Sequence, residues 1–253
     1  VAPSRGLGDV YKRQDRMRAG QGTKTAAPNI NDIEEEFEKA LSAGKDVLFT
    51  CLSSGISSTI NNAFVCKEEM QEKYPDAEIC VFDSICASGG HGLLIYHAIE
   101  NKKKGMSVKE NMQALEELKH RIVHKFTVDD LTYLQRGGRI SKTAAVIGGM
   151  IQLKPVLHVD TEGRLAAESK VRGRKKALNQ LLAEMDICTG GYADKQDVVL
   201  ICHADCPEDA EYVRAKVEEK YHPNKIIMSE VGPIVGAHVG PGTMVLIFEG
   251  DKR

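Results

Sequence analysis

The sequence has no C-x-x-C pair among its seven cysteines and no apolar run approaching the eighteen or so residues of a membrane span. An odd cysteine count without paired spacing argues against a disulfide framework and for a reducing compartment. Charge of either sign is nearly balanced: the net charge is −2 over 253 residues, and no basic stripe with interleaved aromatics occurs. Nucleic-acid binding is therefore not expected. The phosphate-cradling G-x-x-x-x-G-K-[ST] is missing, and "GGHG" at Gly89–Gly92 lacks the spacing of a dinucleotide fingerprint. No G-x-S-x-G elbow or H-E-x-x-H pair is present, which removes the simplest hydrolase and metalloprotease readings. No internal repeat or low-complexity tract breaks the chain, and no methionine opens it.

What is there is an ordinary globular composition, 42% apolar and 28% charged. The first fourteen residues stand apart. "VAPSRGLGDVYKRQ" shows neither helical nor strand periodicity, and "DVYKRQ" (Asp9–Gln14) reads like an in-frame translation of a sequencing-library adapter. Residues 1–14 are expected to be a non-native tail. From Asp32 the pattern is regular. Ile33, Phe37, Ala40 and Leu41 recur at helical spacing and Gly44 closes the helix. "DVLFTCL" and "EICVFDS" read as strands. "ISSTINNAFVCKEEM" reads as a helix with Ile56, Ile60, Ala63 and Phe64 on one face, and "GLLIYHAIENKKKG" as a helix with lysines at its C-terminal dipole end. "SVKE" at Ser107 is a capping box that opens a helix running towards His120.

Beyond Thr127 the pattern changes. "LTYLQRGGRIS" leads into an Ala/Gly-rich helix, followed by two strand-like runs, "LKPVLHVD" and "RLAAESKV", around the turn "DTEG". A helix from Gly173 to Asp186, the strand "DVVLICHA", the helix "PEDAEYVRAKVEEKY" and the strand "KIIMSE" follow. The alternation predicts an α/β protein with mostly parallel sheets. Two lobes are expected, residues 15–126 and 127–253, with a ligand cleft between or within them.

Three Ser/Thr/Gly clusters fall where strands give way to helices: "CLSSGISST", "DSICASGGHG" and "RGGRISKT". Each alone is explained by N-capping. Together they place free backbone N–H groups and hydroxyls at the carboxyl ends of strands, where α/β proteins bind anions. The stretch "VGPIVGAHVGPGT", Val231–Thr243, adds four glycines around His238, more backbone freedom than a surface loop needs. Ser57 and His238 could form a nucleophile–base pair, the esterase or hydrolase alternative, but no orienting acid can be assigned. "HRIVH" sets His120 and His124 on one helix face without a glutamate between them. "CHADC" is better read as a strand end followed by a helix that starts at Cys206 with Pro207 in its first turn. No metal site is expected.

These segments, in order, resemble the DegV family of bacterial fatty-acid-binding proteins: "LSSGISSTINNA", "DSICASGGHG", "LTYLQRGGRIS", "LKPVLHVDTEGRL" with "VRGRKKAL", and "GPIVGAHVGPGT". The resemblance runs from about Asp15 to the end. It implies two α/β lobes with a buried acyl chain whose carboxylate is held by Thr25 in "TKTAAP", Ser57 in "SSGIS" and His238 in the glycine-rich stretch. Ala26 stands where the family has serine. The resemblance also implies a binding protein with no cofactor beyond its fatty acid. The protein itself would be cytoplasmic, its partner a fatty acid kinase that makes acyl phosphate for phospholipid synthesis, with passing membrane proximity but no span. Arg139 in "RGGRIS" is a candidate for partner docking or phosphate neutralisation, or else for a structural ion pair. A regulatory ligand sensor is a distant alternative, because no DNA-binding segment is recognisable. The family opens with a strand ending in T-D-S and a second strand before the threonine segment; neither stands here, so an exposed sheet edge is expected.

Overall fold

The computed structural model describes residues 6–141 and 153–253. The expected Ala/Gly-rich helix after Ser141 lies outside them. The described residues open with helix α1 (Gly6–Arg18), although the sequence there shows no helical periodicity. Gln14 and Met17 are buried, and α1 packs against a helix near the other end of the chain. Tertiary contact, not local amphipathicity, holds this helix.

The next elements form a small unit: α2 (Ile30–Leu41), β1 (Val47–Cys51), α3 (Thr59–Lys73) and β2 (Ile79–Asp83). β1 and β2 pair in parallel, Val47 opposite Ile79. Asn29 and Asp32 form a capping box that starts α2. Ile33, Phe37 and Leu41 of α2 meet Ile60, Ala63, Cys66 and Met70 of α3 over Ile79 and Val81. Phe64, expected on the inner face, is 45% exposed. Cys66 and Met70 complete the buried stripe instead, one and two turns beyond Ala63.

Helices α4 (Ser88–Lys103) and α5 (Val108–Leu118) come next, the latter opened by the Ser107–Glu110 capping box. A six-stranded sheet then begins with β3 (Ile122–Thr127). Its remaining elements are α6 (Thr132–Arg136), β4 (Leu153–Val159), β5 (Leu165–Arg172), α7 (Arg174–Thr189), β6 (Val198–His203), α8 (Pro207–Tyr221), β7 (Lys225–Glu230), α9 (Pro233–Val239) and β8 (Met244–Glu249). The strand order is β5-β4-β3-β8-β6-β7. Only β6 and β7, joined through α8, run parallel; the other four pairings are antiparallel. This corrects the expectation of mostly parallel sheets, which holds for the small sheet alone. The tight Asp160–Gly163 turn compels an antiparallel hairpin, and β8 enters between β3 and β6 from the opposite end. Strand β3, on the N-terminal side of the division drawn from sequence, sits near the middle of this sheet.

One face of the sheet packs Ile122, Phe126, Leu200 and Ile247 against Leu93, Leu94 and Leu115 of α4 and α5. The other packs Val123, Val199, Leu246 and Phe248 against Leu178, Leu181, Val213 and Val217 of α7 and α8. Alternate residues of β3 thus serve opposite faces. His124 lies on the first of these faces, in a strand and not on a helix with His120, so the proposed histidine pair does not exist. It accepts the Ala87 N–H at Nε2, 3.3 Å away. All seven cysteines are free thiols. α8 starts after Cys206 with Pro207 in its first turn, as its sequence suggests.

Candidate carboxylate site

His238 lies in the last turn of α9, a two-turn helix inside the stretch read as a glycine-rich loop. Its Nε2 is 2.7 Å from Thr25 Oγ1, across 213 positions of sequence. Thr25 belongs to the extended segment joining α1 to α2. That segment is fastened beside α9 by a second bond, from Thr23 Oγ1 to the Ala237 carbonyl at 3.1 Å. Further along, Asn62 of α3 donates to the Pro28 carbonyl at 2.8 Å. The segment therefore runs from the His238 helix to the start of the small unit.

The imidazole rests against backbone. A Cβ placed on Gly137 would stand 2.1 Å from His238 Nδ1, so only glycine lets the ring lie there. Nδ1 is buried and has no hydrogen-bond partner among the described residues. Burial first, and the nearby Arg139 charge second, hold His238 below the usual histidine range. Both effects favour the neutral ring, which presents one nitrogen towards Thr25.

Ser57 precedes α3 and points into its first turn. Its Oγ is 2.9 Å from Thr59 Oγ1 and accepts the Thr59 N–H at 3.3 Å. No hydrogen bond joins Ser57 to His238, whose Nε2 is engaged by Thr25; the nucleophile–base pair of the esterase alternative is not formed. Arg139 links the two places. Its Nε donates to the carbonyl of Ile56, next to Ser57, at 3.1 Å, and its Nη1 donates to the Gly137 carbonyl behind His238. A cleft of about 670 Å³ opens beside it, lined by Gly55, Ile56, Arg139, Ile140, Arg164 and Leu165. Gly55 abuts the Asp160–Gly163 turn, for a Cβ there would meet the Gly163 carbonyl oxygen at 2.8 Å.

The Arg139 guanidinium, two hydroxyl-bearing segments and the N-terminus of α3 make this corner rich in hydrogen-bond donors, the chemistry of a carboxylate or phosphate site. Sequence reading named Thr25, Ser57, Arg139 and His238. It missed Thr23 and Gly137, which shape the site through contacts with backbone; the paired glycines of "RGGR" were the one visible signal. Among the described residues no group of three or more His, Cys, Asp or Glu side chains is arranged to hold a metal ion. No helix among them is long and apolar enough to cross a membrane.

The sequence profile of the family described as "Uncharacterised protein, DegV family" matches residues 9–251. A DegV domain-containing protein of Clostridium perfringens is 38% identical over 239 residues, 94% of this chain and 81% of that protein. The fold is shared with a DegV lipid binding protein from Thermotoga maritima, with a TM-score of 0.84 and 27% identity, covering 98% of this chain and 85% of that one. It is also shared with a stearic acid-binding protein from Eubacterium ventriosum, at a TM-score of 0.82 and 25% identity, covering 95% and 83%. The motifs around Ser57, Arg139 and His238, the six-stranded sheet and the profile match agree: the chain belongs to the DegV family.

Proposed function

We propose that this protein binds a long-chain fatty acid, buries the acyl tail and holds the carboxylate with Thr25, Ser57 and His238. The single observation that carries the reading is the 2.7 Å approach of Thr25 to His238 beside Arg139. Two segments from opposite ends of the chain meet to form a hydroxyl–imidazole pair, and among the described residues no carboxylate is paired with it. An incoming carboxylate fills that role.

Tail and head divide the work. Burying roughly a dozen methylenes at about 0.8 kcal/mol each contributes on the order of 10 kcal/mol. The carboxylate resists burial unless several donors meet it, which is the part taken by the two hydroxyls and the imidazole. The descriptions of the Thermotoga maritima and Eubacterium ventriosum proteins as lipid- and stearic acid-binding support the same ligand class. The protein acts as a carrier in the cytoplasm. It presents the carboxyl group to a fatty acid kinase, which forms the acyl phosphate used in phospholipid synthesis, and Arg139 offsets the charge of the phosphate or docks the kinase.

Native mass spectrometry of the full chain, with organic extraction of any ligand, tests this. A co-purified or readily loaded fatty acid is the expected result. A folded protein that is empty and takes up no added fatty acid would overturn the reading.

A further inference from the structure

We infer that Tyr133 is the positioning residue of the carboxylate site, setting the His238 helix and the Thr25 segment in register with each other. The inference rests on the carboxylate reading above.

Tyr133 touches both partners, each through a different part of itself. Its ring lies against Gly240, just past the end of α9, where a Cβ would stand 2.3 Å from Tyr133 Cδ2. Gly240 has φ +78°, a conformation glycine adopts without strain. The ring therefore fixes the end of the short helix that carries His238. The Tyr133 hydroxyl donates to the Met17 carbonyl at 3.1 Å. Met17 is 1% exposed and ends α1's buried side, so this bond anchors the start of the segment that delivers Thr25. Through the α6 backbone the Tyr133 carbonyl also accepts the Gly137 N–H at 3.0 Å, which sets the glycine behind the imidazole.

Plain packing does not account for this arrangement. Tyr133 is only half-buried. It borders a polar cleft with Arg18, Asp129, Lys154, Arg174 and Asp205, where an apolar filler would need no hydroxyl. The hydroxyl instead finds an acceptor on a segment 116 positions away. A single side chain thus couples two segments that share no backbone connection near the site.

The test compares Tyr133→Phe and Tyr133→Leu in the full chain. Three readouts serve: the NMR titration of His238, amide exchange across residues 19–27, and affinity for stearate. Tyr133→Phe keeps the ring, so the His238 titration stays as in the unsubstituted protein. Exchange in the segment quickens, and stearate binds about threefold more weakly, the effect of one lost neutral hydrogen bond. Tyr133→Leu also frees the end of α9. The His238 midpoint then moves up towards the ordinary histidine value as the ring gains water, and affinity falls about tenfold, the effect of two such contacts. Unaltered titration, exchange and affinity in both variants, with only a lower melting temperature, would reduce Tyr133 to a packing residue. Should Tyr133→Leu not fold, unchanged exchange and affinity in Tyr133→Phe overturn the inference alone. If the unsubstituted chain takes up no stearate, the carboxylate reading fails, and the titration and exchange data still decide what Tyr133 does.

Discussion

Thr25 and His238 share a 2.7 Å hydrogen bond between segments 213 positions apart, and each limits where the other can go. If the pair holds the carboxylate as proposed, the shared bond should couple its two contributions to fatty-acid binding. Thr25→Val and His238→Ala are each expected to weaken fatty-acid affinity by about threefold to tenfold. The double variant should fall short of the product by a coupling of at least about 0.5 kcal/mol. Ser57→Ala, which removes a hydroxyl bonded elsewhere, should add nearly independently to His238→Ala. Titration calorimetry with one fatty acid measures the cycle. Full additivity of Thr25 with His238 would mean that the pair does not act as a unit.

Gly137 is expected to admit no side chain. Its φ of −73° suits alanine, so the backbone itself raises no objection. The added methyl would nevertheless meet His238 Nδ1 at 2.1 Å and displace the ring. Gly137→Ala should cost about tenfold in affinity while circular dichroism stays unchanged, a loss of about 1.4 kcal/mol. Gly22→Ala, with nothing within 4 Å of the new methyl, is the control and should bind normally. Equal affinity in both variants would place the imidazole outside the binding site.

Acid should weaken the fold through histidines buried in neutral form. His124 is 1% exposed, and burial above all, with the Arg253 charge second, depresses its pKa to about 3; burial depresses His91 to about 4. Both folded values lie below the ordinary 6.5, so the unfolded chain binds these protons first. Their stabilisation is complete above that value and declines as pH falls below it, by up to about 1.4 kcal/mol per pH unit for each group. Urea unfolding midpoints measured from about pH 7 to pH 5 should fall less steeply in His124→Gln than in the unsubstituted protein. Parallel slopes would show that His124 titrates normally.

Lys125 is buried in β3 with its Nζ 2.8 Å from both oxygens of Glu168 and 3.8 Å from Glu184. Lys125→Met leaves these two carboxylates facing each other without their cation and should cost about 3–5 kcal/mol in denaturant unfolding. Adding Glu184→Gln should restore part of that loss. A cost under about 1 kcal/mol would place the pair in solvent-like surroundings.

Local signals read correctly where neighbours in sequence are neighbours in space. The Ser107 capping box, the Pro207 helix start, the hairpin turn at Asp160–Gly163 and the strand "DVVLICHA" needed no long-range knowledge. Thr25, Ser57, Arg139 and His238 were legible only as family motifs, since nothing local shows that Thr25 and His238 touch. Phe64 followed the helical period yet lies exposed, because period alone does not say how wide the buried stripe is. His124 was misplaced because "HRIVH" has histidines at helical spacing, while the flanking Ile122, Val123 and Phe126 alternate across a sheet.

The sequence by itself determined most of the stretches that become helices and strands, with α1, β3 and α9 the exceptions, and which residue types are available to meet an anion. These follow from backbone propensity, capping and periodicity, which act over a few residues. Tertiary structure alone decided that β8 inserts antiparallel between β3 and β6. It also folded α1 against α9 and let Gly137 and Tyr133 seat the imidazole beside Thr25. Those outcomes depend on burial and close backbone approach between segments separated by most of the chain, and no short window of residues encodes them.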